Sequence, residues 1–221
     1  MPPDAGQAAD AQAAIFYDPA TGGHGLKRDP FKSLVVPRPI GWITTLDRDG
    51  VVNLAPYSFF NAVSTAPHMV MFCPGGAHQP GRHKDSRRNA EQTGEFVCNI
   101  VTHAQREVMN ATSADVAPGV DEMALAGLAT LPSRRVAPPR VAGAPIHFEC
   151  TYWRTIELPC DDAASTNAIV LGTVVGVHID RSIITDGMID MAKFQPVARL
   201  GYMDYTVVDN VFTMLRPGMD G

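Results

Sequence analysis

No stretch of this chain approaches the roughly 18–20 consecutive apolar residues that a membrane-spanning helix needs, so no membrane association is expected. The first fourteen residues, MPPDAGQAADAQAA, lack the basic and apolar regions of a secretory signal and are expected to form a mobile tail. Basic charge is scarce as well. With 18 Lys and Arg against 23 Asp and Glu, the net charge is −5 and the pI near 5.7, which is not the footprint of a nucleic-acid binder. The four cysteines, at positions 73, 98, 150 and 160, form no C-x-x-C pair. They are expected to be free thiols of a cytoplasmic protein, because spacing gives no support to a disulfide. Catalytic signatures are missing too. There is no G-x-G-x-x-G after a strand, no G-x-S-x-G and no H-E-x-x-H. The sequence thus displays no catalytic side chains, and any reaction is expected to rest on a bound cofactor.

What is present describes an ordinary globular chain. With 45% hydrophobic and 19% charged residues over 221 positions, the chain can build one sizeable core, and residues 15–221 are expected to form a single domain. Strand patterns dominate. Leu34–Leu46 is interrupted by Pro37 and Pro39, which predicts a sheet edge or barrel rim. An Asp47-Arg48-Asp49-Gly50 turn leads to a return strand at Val51–Leu54, and His68–Phe72 and Glu95–Val101 follow. In Ile146–Leu158, Ile146, Phe148, Cys150, Tyr152, Ile156 and Leu158 share one parity, while His147, Glu149, Thr151, Thr155 and Glu157 take the other. Ile169–Ile179 contains Gly172 and Gly176, which suggest bending or a close backbone approach. One helix is predicted from Asp85 or Ser86, either as cap, to Gly94. A second is predicted from Thr102, with Gln105 in capping-box spacing, to about Ala111, and a short one near Glu122–Ala126. This order, without β-α-β alternation, predicts a mainly β fold: an antiparallel barrel with peripheral helices.

Two segments carry candidate chemistry. NLAPYSFFNAVS, Asn53 to Ser64, combines small residues, amides, hydroxyls and two phenylalanines, a mixture suited to a planar heteroaromatic ligand with polar edges. Lys84-Asp85-Ser86 and Asn89 open a predicted helix, where free N–H groups, the dipole and the ammonium favour an anion such as phosphate. The same pattern also fits a capped surface helix. Cys73, His78 and His83 in CPGGAHQPGRH match no metal-ligand spacing, so no metal site is expected. His178, in an apolar strand, reads as a satisfied core histidine rather than a catalytic one.

Taken together, KRDPFKSLVVPRPIGWITTLDRDGVVNLAPYSFFNAVSTAP, KDSRRNAEQTGEFVCNIV and VARLGYMDY resemble the flavin reductase-like family over roughly Arg28 to Val208. The resemblance implies a homodimeric, six-stranded Greek-key split barrel that binds FMN near the subunit interface. It implies that Asn53, Ala55, Pro56, Tyr57, Ser58, Phe59 and Asn61 lie along the flavin, with Thr44 and Thr45 near the ribityl chain or phosphate. Lys84, Ser86 and Asn89 then become the phosphate seat, and Arg199 in Arg199-Leu200-Gly201-Tyr202 is a further flavin contact or a structural residue. His83 takes the place before the lysine where relatives usually carry another basic residue, so its contact depends on protonation. The implied activity is NADH- or NADPH-dependent reduction of flavin, with electrons passed to free flavin or another acceptor, such as a partner monooxygenase. A flavin-binding electron carrier that oxidises no nicotinamide, and a non-catalytic flavin module, need the same pocket. Oxidation of a pyridoxal-type phosphate is disfavoured by the absence of a second basic cluster.

Overall fold

The computed structural model describes residues 14–76, 83–117 and 119–218. The expected tail, except Ala14, and His78 lie outside them. From the N-terminus, α1 (Phe31–Leu34) and β1 (Arg38–Pro39) precede β2 (Gly41–Leu46), β3 (Val52–Tyr57), β4 (Phe60–Thr65) and β5 (His68–Phe72). Then come α2 (Asp85–Thr93), β6 (Glu95–Ile100), a 3-10 turn at His103–Gln105 that runs into α3 (Arg106–Ala111), and α4 (Glu122–Leu125). The short β7 (Thr130–Leu131) and β8 (Arg140–Val141) lead to the long β9 (Ile146–Leu158) and β10 (Asn167–Ile179). The chain continues through β11 (Ile184–Thr185), β12 (Met188–Ile189), α5 (Met191–Phe194), β13 (Val197–Arg199) and β14 (Tyr205–Val207).

Seven strands form one antiparallel sheet in the order β3-β2-β6-β9-β10-β5-β4. β3 and β4 are its two edges, yet only Ser58 and Phe59 separate them in the chain. The sheet must therefore curl until its edges meet at that bend, which makes a barrel split along one seam. If β3 and β4 are counted as one broken strand, the barrel has the six strands the resemblance implies. Gly41 sits where the seam closes. A Cβ there would lie 2.5 Å from the Phe60 ring, so only glycine lets β2 and β4 approach this closely.

The expected edge strand at Leu34–Leu46 is instead three pieces. Pro37 precedes β1, and Pro39 pairs with Ala198 in a separate three-stranded sheet of β1, β13 and β14. β2 begins only at Gly41 and runs inside the main sheet, because both prolines, which cannot donate to a ladder, are spent before it. Pro56 is the proline on a true edge. The Leu54 N–H points away from β2 and donates to the Glu122 carboxylate at 3.0 Å, so two residues on, the outward position falls on a residue with no N–H to leave unpaired.

The faces of β2 are buried on both sides. Ile43 packs inside the barrel with Phe60, Phe72, Phe96 and Ala90 of α2. Trp42 packs outside with Leu54, Met109 of α3 and Met123 of α4, and its Nε1 donates to Thr112 Oγ1 at 2.9 Å. The predicted capping box before α3 does not form. Thr102 makes no side-chain cap and bridges Pro196, and Gln105 Nε2 reaches the Ala142 carbonyl. β10 departs from regular register at Leu171/Gly172 and Val174/Gly176, as its glycines suggested. A Cβ on Gly172 would sit 2.3 Å from the Phe96 ring.

On β9 the alternation is correct but the polar parity is not solvated. His147 and Glu149 are buried, whereas Ile156 and Leu158 are exposed. The loop after β7 covers this face and donates the Arg134 and Arg135 N–H groups to the two Glu149 oxygens at 2.9 and 2.6 Å. His178 bonds the same carboxylate, and His147 Nε2 meets the Val141 carbonyl at 2.9 Å. Burial lowers the His147 pKa below its ordinary 6.5, against the Val141 bond. For Glu149, burial raises the pKa but is outweighed by the bonds from Arg134, His178 and Arg135, so it is lowered overall. Both groups act in the same direction. Unfolded His147 takes up a proton near pH 6.5 that the folded chain refuses, so stability falls as pH drops below 6.5. Glu149 adds its loss below about 4.5. Thermal melts from pH 7.5 to 5 are expected to show a steeper fall in Tm for the wild type than for His147→Gln. Parallel curves would remove His147 from the acid response.

Among the described residues, no helix is long and apolar enough to cross a membrane, and no group of three or more His, Cys, Asp or Glu side chains is placed to hold a metal ion.

Candidate functional site

The outer edge of β3 borders a cleft of about 1040 Å³, large enough for a drug-sized or cofactor-sized ligand. Its lining includes Asn53 and the run Ala55, Pro56, Tyr57, Ser58 and Phe59. Lys84 and Asp85 of the α2 start face them, with Asn110 of α3, residues 112–116 after it and Glu122 of α4. Asp29, Lys32, Arg38, Arg199 and Tyr202 are among the other lining residues. Edge-strand backbone groups, small side chains and the half-exposed Phe59 ring therefore meet a lysine across one cavity. This is the composition that a flat, polar-edged ligand with an anionic tail requires.

Beneath the cleft, Ser86 joins the two halves. Its Oγ accepts from Asn53 Nδ2 at 2.9 Å and from the Tyr57 hydroxyl at 3.0 Å. Asn53 and Tyr57 lie four residues apart on one face of β3, so a single hydroxyl at the head of α2 fixes both. Burial pushes the Tyr57 phenol up to about 12, with the Ser86 bond opposing and the Glu122 carboxylate assisting. Tyr57 is thus a neutral donor at any ordinary pH. Burial also raises the Glu122 carboxyl, although the Leu54 N–H pulls it down.

Residues 33–197 match the family model described as flavin reductase like domain. The chain belongs to that family. It is similar to YwrF of Bacillus subtilis, 34% identical over 195 residues that cover 86% of this chain and 94% of YwrF. Among solved structures, it is similar to nitrilotriacetate monooxygenase component B from Bacillus cereus, at 29% identity and a TM-score of 0.81 over 91% of this chain and 98% of that one. The Pseudomonas fluorescens 2-nitrobenzoate 2-nitroreductase NbaA follows at 25% identity and a TM-score of 0.78, covering 93% and 98%.

In this flavin reductase-like domain, seven of the sequence-predicted residues line the cleft directly: Asn53, Ala55, Pro56, Tyr57, Ser58, Phe59, Lys84, with Arg199 an eighth at the far side. The others do not. Ser86 and Asn89 are buried under it, and Asn89 Nδ2 donates to Thr45 Oγ1 at 3.2 Å. Thr44 faces the opposite side of β2 and accepts from Asn99 Nδ2 at 2.8 Å. Asn61 lies on β4, exposed, with its side-chain oxygen on the Ala62 N–H. His83 borders α2 but is not in the lining. The predicted cap at Asp85 or Ser86 is also displaced. Lys84 is the N-cap and offers no side-chain bond to the helix, while Asp85 pairs with Arg88 at 2.6 Å.

Among the cleft residues that sequence reasoning missed, three are charged groups with fixed partners. Arg38 is buried and donates to the carbonyls of Lys32, Val35 and Leu200, which ties the α1 segment to the β13–β14 turn. A charged residue between two prolines in an apolar run was the available signal. Asp115 pairs with Lys84 at 2.9 Å and had no local pattern. Glu122, directly after its Asp121 cap, resembled ordinary helix-start acidity.

Proposed function

We propose that this chain is an FMN-dependent oxidoreductase that takes hydride from NADH or NADPH and passes electrons to free flavin or to a partner protein. The carrying observation is the convergence of the β3 edge and Lys84 on one cleft, locked together through Ser86. FMN bound here would supply the redox chemistry, accepting hydride from the nicotinamide. The chain's own part is binding and orientation. The β3 edge from Ala55 to Tyr57, with Ser58 after it, meets the polar rim of the ring, Phe59 gives an apolar wall, and Lys84 takes the phosphate by exchanging Asp115 for it. Asp115 is 80% exposed, so losing that partner costs little. Ser86, Asn89 and Thr45 position these groups from beneath.

Similarity to a monooxygenase component B supports an oxygenase as electron acceptor. A homodimer would cover the exposed Val211, Phe212, Met214 and Leu215 near the C-terminus. Anaerobic addition of NADH, then NADPH, to FMN-loaded protein is expected to bleach the flavin absorbance with at least one donor. Bleaching by neither would overturn the reductase reading in favour of an electron carrier. Failure to bind any flavin would overturn both.

A further inference from the structure

A second cavity of about 400 Å³ abuts the flavin cleft, walled by the start of α3 and by β13 and β14. The two share Met109, Asn110, Arg199, Met203 and Tyr205, so Arg199 stands at their junction. Their charge differs. The second cavity is lined by Arg106 and Arg199 against one carboxylate, Glu107, whereas in the first Asp29, Asp85, Asp115 and Glu122 balance Lys32, Arg38, Lys84 and the shared Arg199. In a chain of net charge −5, this is a local concentration of cationic groups.

The guanidinium groups are also positioned differently. Arg199 bonds the Tyr205 hydroxyl and the Tyr202 carbonyl and lies 4.4 Å from the centre of the Tyr205 ring, which fixes its plane before any ligand arrives. Arg106 donates to the His103 carbonyl at 2.9 Å and lies 3.3 Å from Glu107. The Arg106 and Glu107 side chains are 47% and 83% exposed, so that ion pair is solvent-screened and readily given up. A dinucleotide hydride donor must place its nicotinamide in the flavin cleft, yet it carries a doubly charged diphosphate and an adenosine that need a seat nearby. Two guanidinium forks beside the cleft match phosphate oxygens.

We propose that this cavity binds the adenosine diphosphate half of the dinucleotide donor, with Arg106 and Arg199 on the diphosphate. The proposal rests on the nicotinamide-dependent reading above. The probe is ADP-ribose, which has the adenosine and diphosphate but no nicotinamide, titrated calorimetrically into FMN-loaded wild type and Arg106→Ala. The variant should bind it on the order of tenfold more weakly. In turnover, the ratio of kcat/KM for NADH to that for reduced nicotinamide mononucleotide should fall by a similar factor. Undetectable ADP-ribose binding to the wild type, equal binding to both proteins, or an unchanged ratio would each overturn the assignment. If neither donor reduces the flavin, the reductase reading fails instead, and the calorimetry alone then decides the cavity.

Discussion

Glu149→Ala is expected to cost about 3–5 kcal/mol of folding stability, the range for removing one partner from a buried, charged hydrogen-bond set. The carboxylate is wholly buried and accepts from the Arg134 and Arg135 N–H groups and from His178. Its removal leaves two backbone donors without an acceptor and His178 without its anion. It also frees the loop that covers β9, and with it the Val141 carbonyl that satisfies His147. Urea unfolding monitored by tryptophan emission would measure the loss, since Trp42 is fully buried in the packed layer outside β2. Glu149→Gln, which keeps one acceptor oxygen, should lose less. A loss below about 1 kcal/mol for the alanine variant would mean that the loop is held by other contacts.

That cluster also shows where sequence reading stops. The bounds of β9 match the predicted Ile146–Leu158 residue for residue, because alternation is a local property of the chain. That the polar parity is buried along with the apolar one in the first half of β9 is not local. It depends on Arg134 and Arg135, 15 and 14 residues away, turning their N–H groups onto Glu149. The same division holds for α2. Gly94 adopts the left-handed conformation that ends the helix, as predicted, but the cap at its start was misplaced. Ser86 is engaged by Asn53, 33 residues earlier, and by Tyr57, and no local rule anticipates those partners. The two segments that meet at the cleft, Asn53 to Phe59 and the Lys84 helix start, were legible because each has its own composition. The hydroxyl that joins them was legible only as a possible cap or phosphate donor.

The Ser86 assignment leads to an expected contrast between two variants. Ser86→Ala removes the common acceptor of Asn53 Nδ2 and the Tyr57 hydroxyl, both held against a residue that is 1% exposed. Tyr57 cannot relieve the loss by ionising, since burial has pushed its phenol up to about 12. Each orphaned donor costs about 1–3 kcal/mol, so the variant should lose about 2–6 kcal/mol of stability. It should also loosen β3 against α2, so that FMN and riboflavin both bind more weakly and by similar factors. Lys84→Ala should behave differently. In the proposed complex its ammonium leaves Asp115 and meets no part of the flavin but the phosphate, so FMN affinity should fall by about 1–3 kcal/mol, roughly 5- to 150-fold, while riboflavin affinity holds. Fluorescence titration of both flavins against both variants separates the roles. If Ser86→Ala weakened FMN but spared riboflavin, Ser86 would be a phosphate ligand and not the positioning residue its buried geometry indicates. If Lys84→Ala weakened both flavins equally, the anion seat would lie elsewhere in the cleft, with Arg38 and Arg199 as its remaining fixed cations.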